Sequence, residues 1–291
     1  MYRRKSTRKS NFRRRPAGPK RVIRKAIRQA RAKVFKGRVM RSLQTAREVK
    51  SATVTIDQNF SYGGYSNASY NIFCCVPADN AVAPLGPLIT QGSGQGQRIG
   101  NSIRMKQSIV SGCMYPQPYS ATENKNPEPL EVVMYIFSVK PNINVSTQAN
   151  LQQNVLQKFF QYGNNSFAIS GLMAEIMYPV NTDIVTLYKK RIFKVGNAAY
   201  YNWDGSGTPN NPNNQFINND FALNRKFRID VTKYVPPRIT WNDGEAVPTS
   251  RAVYCLIIPY YAAGGAPLNP GTTNIAPLHV NCNVTVKYTD M

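Results

Sequence analysis

The sequence predicts an all-β body, a single antiparallel β-sandwich of the jelly-roll type with about eight strands and long loops, preceded by a basic N-terminal arm. Three observations predict it. From Ser51 onward, apolar and polar residues alternate at period two in segment after segment. Turn formers crowd the long connections between those segments, and no βαβ rhythm interrupts them. Net charge is concentrated at the front. Residues 1–50 hold 20 Lys and Arg and one acid, Glu48, for a net +19, whereas residues 51–291 hold 17 basic and 13 acidic residues, a net +4.

The arm has two parts. Residues 1–19 mix Arg and Lys with Ser, Asn, Pro and Gly, a composition that predicts an extended, mobile segment. In residues 20–36 Val22, Ile23, Ala26, Ile27, Ala30, Val34 and Phe35 recur at intervals of three and four among the cations. That is a basic amphipathic helix formed against a partner or, in the free protein, a solvated charge run. Gly37 interrupts the pattern, which resumes weakly over 38–50.

The body opens with SATVTIDQNF, where Ala52, Val54, Ile56 and Phe60 share one strand face and Thr53, Thr55, Asp57 and Asn59 the other. The same period closes the chain, with Val280, Cys282, Val284, Val286 and Tyr288 alternating with Asn281, Asn283, Thr285 and Lys287. Further strands are predicted at 70–76, 103–115, 130–139, 183–195, 224–235 and 251–261. LEVVMYIFSV and VYCLIIPYY are nearly continuous apolar runs, which predicts strands covered on both faces. One helix is predicted over 150–163, with Leu151, Val155, Leu156, Phe159 and Phe160 on one side and Gly163 at its end. The connections 77–97, 196–221 and 261–278 are rich in Asn, Gly and Pro, and 196–221 is the expected exposed feature.

Signals for catalysis or metal binding are weak. The single histidine, His279, has no nucleophile signature beside it and reads as a hydrogen-bonded structural residue. Cys74, Cys75, Cys113, Cys255 and Cys282 form no CxxC pair and read as reduced, mostly buried thiols of an intracellular product. Zinc spacing is lacking, and Asp243 and Glu245 in WNDGEAVP read as turn residues. GSGQGQRIGNS, residues 92–102, misses the phosphate-loop frame and reads as a loop feeding the next strand. Asn-x-Ser/Thr sequons begin at Asn67, Asn144, Asn164 and Asn283 and read as incidental to an Asn-rich chain. The charged N-terminus lacks the apolar run of a secretory signal, and no stretch of about 18 apolar residues spans a bilayer. No catalytic residue, metal site or cofactor is expected.

The arm therefore points outward, to a partner. Like charges within about 8–10 Å repel, so so dense a basic tail favours a polyanion as its counter-surface. The expected phosphate contacts are Arg3, Arg4, Lys5, Arg8, Lys9, Arg13, Arg14, Arg15, Lys20, Arg21, Arg24, Lys25, Arg28, Arg31, Lys33, Lys36, Arg38 and Arg41, joined by Arg104 and Lys106 on a body strand. Lys226 and Arg228 alternate in the same way, and Lys189, Lys190, Arg191 and Lys194 form a third group. These body groups are either solvated strand faces or an extension of the arm's cationic surface. Only Tyr2, Phe12 and Phe35 interrupt the arm's charges, which favours phosphate contact over base stacking.

The basic arm, the run of strands and the loop in GQGQRIGNSIRMKQS resemble the capsid proteins of circular, Rep-encoding single-stranded DNA viruses, the circovirus-like group. Arg98-Ile99-Gly100 leads into a long strand as in that group, YKKRIFKV at 188–195 looks like its basic mid-domain strand, and RAVYCLIIPYY at 251–261 like its hydrophobic penultimate strand. The resemblance implies a homo-oligomeric icosahedral shell of 60 copies, with the arm against an enclosed single-stranded DNA genome. It also implies a virion protein that passes through the host nucleus, engaging import machinery through Arg3-Arg4-Lys5 and Arg13-Arg14-Arg15; a host receptor is left unspecified. Sixty such arms carry about 1,100 positive charges, enough to neutralise on the order of a kilobase of single strand. Phosphate-directed arms treat DNA and RNA alike, so the resemblance alone selects DNA. The rival readings are a nucleic-acid chaperone or movement protein with the same arm, membrane action by the 20–36 helix, and an enzyme.

Overall fold

The computed structural model describes residues 27–36, 48–61, 71–78, 85–94, 96–117, 129–145, 147–196, 199–200, 216–217, 224–245, 248–262 and 276–291. The chain divides into two compact units, Met1–Arg47 and Glu48–Met291. In the first, residues 27–36 form a helix exposed along its whole length.

The second unit is antiparallel β structure. Its strands are β1 (Lys50–Phe60), β2 (Ile72–Cys74), β3 (Ser102–Pro116), β4 (Leu130–Val139), β5 (Phe160–Tyr162), β6 (Asn165–Phe167), β7 (Val185–Val195), β8 (Ala199–Tyr200), β9 (Phe216–Ile217), β10 (Arg225–Asp230), β11 (Arg238–Thr240), β12 (Tyr254–Tyr261) and β13 (Leu278–Asp290). One sheet has the order β1-β13-β3-β10, with β11 also on β3; the other has the order β2-β12-β4-β7. Along the eight strands of these two paths, only β4 and β7 follow one another within a sheet; otherwise successive strands alternate between the sheets. The two faces that meet form one core, to which the first sheet gives Ile56, Val110, Met114 and Val284, and the second Val132, Met134, Cys255 and Ile257. The polar members of β1 and β13 lie on the other side, where Thr55 Oγ1 donates to Asn283 Oδ1 at 2.7 Å.

The two near-continuous apolar strands are buried on both sides. Their second face, with Val133, Tyr135, Phe137, Leu256 and Ile258, lies under the segment that joins β4 to β7, and Leu151, Leu156, Phe159 and Phe160 of that segment pack onto it. Period two cannot appear in a strand with no solvent face.

The strand predicted at 70–76 is only Ile72–Cys74, those predicted at 183–195 and 251–261 start at Val185 and Tyr254, and two further elements end early for visible reasons. The helix predicted over 150–163 is the single stretch Gln148–Asn154, capped by Thr147, whose side chain accepts the Asn150 N–H. A 3₁₀ turn, Leu156–Lys158, follows, and the chain then enters the β5–β6 hairpin, where Gly163 takes φ +60. All five expected apolar anchors are buried, but they are satisfied by edge-on contacts of Phe159 and Phe160 with Tyr135 and with each other rather than by a continued helix. The strand predicted over 224–235 stops at Asp230. There the Asp230 carboxylate accepts the Thr232 N–H and starts the 3₁₀ turn Thr232–Tyr234, and Pro236 and Pro237 separate it from β11.

Gly112 marks the tightest point of the first sheet. It lies in β3 directly opposite Cys282 of β13 and Phe227 of β10, and a Cβ there would overlap the Asn281 carbonyl and the Cys282 backbone. Because those atoms belong to a paired central strand, they cannot swing away. Gly112→Ala is expected to cost about 3 kcal/mol, read as a lower urea midpoint at unchanged m-value.

Candidate nucleic-acid interface

Among the expected contacts, Arg28, Arg31, Lys33 and Lys36 stand on the 27–36 helix, all exposed. Ile27, Val34 and Phe35 of the same helix are exposed too, at 49%, 58% and 70%, so no described residue covers its apolar stripe. Arg3, Arg4, Lys5, Arg8, Lys9, Arg13, Arg14, Arg15, Lys20, Arg21, Arg24, Lys25, Arg38 and Arg41 lie outside the described residues.

Arg104 and Lys106 are exposed on β3, on the face of the first sheet turned away from the core. Arg104 is directly opposite Arg238 of β11. The β3–β13 register skips Lys106, passing from Lys287–Gln107 to Tyr288–Met105, which makes Lys106 the extra residue of a bulge next to the Lys287–Gln107 pair. Arg238 and Lys287 are both exposed and were not singled out by the sequence pattern. Lys226 and Arg228 share this face further along β3, opposite Cys113 and Ser111.

The third basic group is not one surface. Lys189 and Arg191 fall opposite Ile136 and Met134, whereas Lys190 and Lys194 fall opposite Tyr135 and Glu131, so the pleat of β7 sends them to opposite sides. Lys190 is tied inward besides: its ammonium donates to the Ile176 carbonyl and lies 5.5 Å from the centre of the Tyr135 ring. Burial holds its pKa below the ordinary lysine value. This group therefore does not extend the face that carries Arg104 and Lys106.

Two further cations are structural. Lys50 is buried, donating to the Gln97 carbonyl at 2.8 Å and pairing with Asp290 at 2.9 Å. Arg98 is buried under Trp241, its guanidinium 4.6 Å from the ring centre, and donates to the carbonyls of Gly100 and Glu245 and to Asn101 Oδ1. These contacts fasten the Gly-rich loop to the sheet edge, and that loop runs straight into β3 as the sequence predicts.

The groups weighed for chemistry have internal roles. His279 places Nδ1 2.7 Å from Asn59 Oδ1 and Nε2 2.8 Å from Asp57 Oδ1, and stacks on Tyr115. Asp243 and Glu245 belong to a turn, with Asp243 accepting from Asn101 and Glu245 from Asn242. Among the described residues no three His, Cys, Asp or Glu come together as metal ligands. Cys74, Cys75, Cys255 and Cys282 are buried free thiols and Cys113 is half-buried. Burial pushes the Cys282 pKa up to about 12, leaving negligible thiolate at neutral pH. No helix among the described residues is long and apolar enough to cross a membrane.

Among the described residues Glu175 is the one buried acid. It accepts from Ser170 N–H and hydroxyl, Gly171 N–H and, at 3.3 Å, the Tyr260 hydroxyl, clasping the β4–β7 connection to β12. Burial raises its pKa despite these donors. An acid whose pKa is higher folded than unfolded adds stability that is complete below its unfolded value, near 4.5, and is lost as pH rises through the folded value. Urea midpoints should therefore move in favour of the wild type over Glu175→Gln as pH falls from neutrality towards that value; a difference independent of pH would refute the assignment.

No protein-family model matches this chain, and no curated protein matches it.

Proposed function

We propose that this protein is a viral capsid subunit that packages single-stranded nucleic acid through its arm. The observation that carries the reading is the division of charge. Residues 1–47 hold 19 Lys and Arg without an acid, while the body from Glu48 is close to balanced, with 18 basic and 14 acidic residues. A nearly neutral body can pack against copies of itself without the repulsion a uniformly cationic subunit would suffer, and a cationic arm can follow any phosphate path.

The strand order supports the architecture this role needs. Counting only the eight strands on the main paths of the two sheets, the order reads first-eighth-third-sixth and second-seventh-fourth-fifth, which we read as a jelly roll. With that reading the chain fits the circovirus-like capsid proteins it resembles, the cargo is single-stranded DNA, the shell has 60 copies, and assembly takes place in the host nucleus.

Removing residues 1–47 is expected to abolish binding of a labelled single strand at moderate salt while leaving the sandwich folded and able to form empty shells. Binding by the full chain should fall steeply and linearly with the logarithm of salt concentration and depend little on base sequence. Undiminished affinity in the truncated protein would overturn the role of the arm. Light scattering tests the shell: megadalton particles are expected, and a monomer or dimer under all conditions would favour a nucleic-acid chaperone.

A further inference from the structure

We propose that Arg104, Lys106, Arg238 and Lys287 form a phosphate-binding site on the body, a seat for nucleic-acid backbone distinct from the arm; the inference rests on the packaging role above. These four cations come from three adjacent strands in the order β13, β3, β11. All four are exposed. Two strand spacings make the cluster about 10 Å wide, room for more than one phosphate group.

Its internal geometry is unfavourable in the absence of an anion. Arg104 and Arg238 are direct cross-strand partners, and like charges so placed destabilise a sheet. Lys106 stands two residues from Arg104 along β3, at the bulge beside Lys287. Among the described residues none of the four is paired with a carboxylate. The closest acid in register, Asp290 opposite Ile103, is already bound by the Lys50 ammonium and the Ile99 N–H. Asp243, in the turn that follows β11, accepts from Asn101 instead.

Three other body cations, Lys50, Arg98 and Lys190, have their heads paired or turned inward. Concentrating four free ones here selects a ligand that supplies several negative charges in a row. The location suits a strand that is also held by the arm, because the chain enters β1 beside the cluster, with Ser51 directly opposite Lys287.

The test uses the full-length protein and a labelled oligothymidylate across a salt series. Replacing the cluster (Arg104→Gln, Lys106→Gln, Arg238→Gln, Lys287→Gln) should reduce the slope of log affinity against log salt by about 2 to 3, since each lost phosphate contact on a single strand removes about 0.7. The control removes equal charge elsewhere (Lys140→Gln, Lys158→Gln, Lys189→Gln, Arg191→Gln) and should keep the slope. Equal reductions in both variants, or none in the first, would overturn the site. Arg238→Gln alone should raise the thermal midpoint while weakening binding, a pairing of effects that damage to the fold does not produce. Acylation footprinting of the unmodified protein gives an independent reading: Lys106 and Lys287 should be protected by oligothymidylate, and left open by inorganic phosphate at matched ionic strength. Protection by inorganic phosphate alone would assign the site to free anions and overturn the nucleic-acid assignment. Failure of the packaging role looks different, because neutralising Arg13, Arg14 and Arg15 would then leave affinity for the strand intact whatever the cluster does.

Discussion

The pairing of β13 between β1 and β3 is the constraint on which the rest of the body depends. It joins the two ends of the sandwich sequence, Lys50 facing Tyr288 and Phe60 facing Leu278, and continues across β3 from Pro116 to Ile103. Until it forms, β1 has no neighbour and the inner face of the sheet lacks its middle row, Val280, Cys282, Val284 and Val286. Such distant pairing closes a long loop before it is rewarded, so the body belongs among topologies that fold slowly. Asp290 completes the closure, holding Lys50 at the start of β1 and the Ile99 N–H ahead of β3 with the two oxygens of one carboxylate.

That closure also decides where charge can stand. On the core side of the first sheet a cation must be paired, and Lys50 is buried with both an ion pair and a carbonyl. On the outer side the strands offer Thr, Asn, Ser and Gln, which satisfy one another across rows and leave room for cations at one end. The opposite sheet has no comparable face, because the β4–β7 connection covers it with Leu151, Val155, Leu156, Phe159 and Phe160. Among the described residues of the two sheets, the outer face of the first is thus where exposed cations stand side by side across neighbouring strands.

The seven longer strands of the two sheets were legible because their side chains report burial directly, by alternation in β1 and β13 and by unbroken apolar runs in β4 and β12. The β5–β6 hairpin and β11 were not, since three residues are too few to establish a period. The 150–163 segment carried a helical spacing that correctly marked its buried residues but overstated the helix, because a 3₁₀ turn and a short strand can bury the same anchors. At the candidate site, Arg104 and Lys106 were visible as alternating cations. Arg238 and Lys287 were not, because their membership depends on cross-strand register and on one bulge, neither of which is written in local sequence. The converse error is Lys189, Lys190, Arg191 and Lys194: adjacent in sequence, they are divided between two sides by the strand itself.

Partnership, more than residue type, separates the structural cations of this chain from the candidate phosphate contacts. Lys50 was counted with the arm on sequence grounds, yet it is among the most constrained residues of the body, and Glu48 likewise falls on the body side of the division at Arg47. Shifting that boundary removes one cation and one acid together, so the arm keeps its net +19 and becomes wholly free of acids. Within the body the same criterion sorts Arg98, closed over by Trp241 and three acceptors, from Arg104, set against another arginine with no carboxylate between them. A sequence under selection for stability alone removes such an opposition with one substitution. Its presence at the end of the sheet where the chain arrives from the arm is intelligible if the missing negative charge comes from outside the protein.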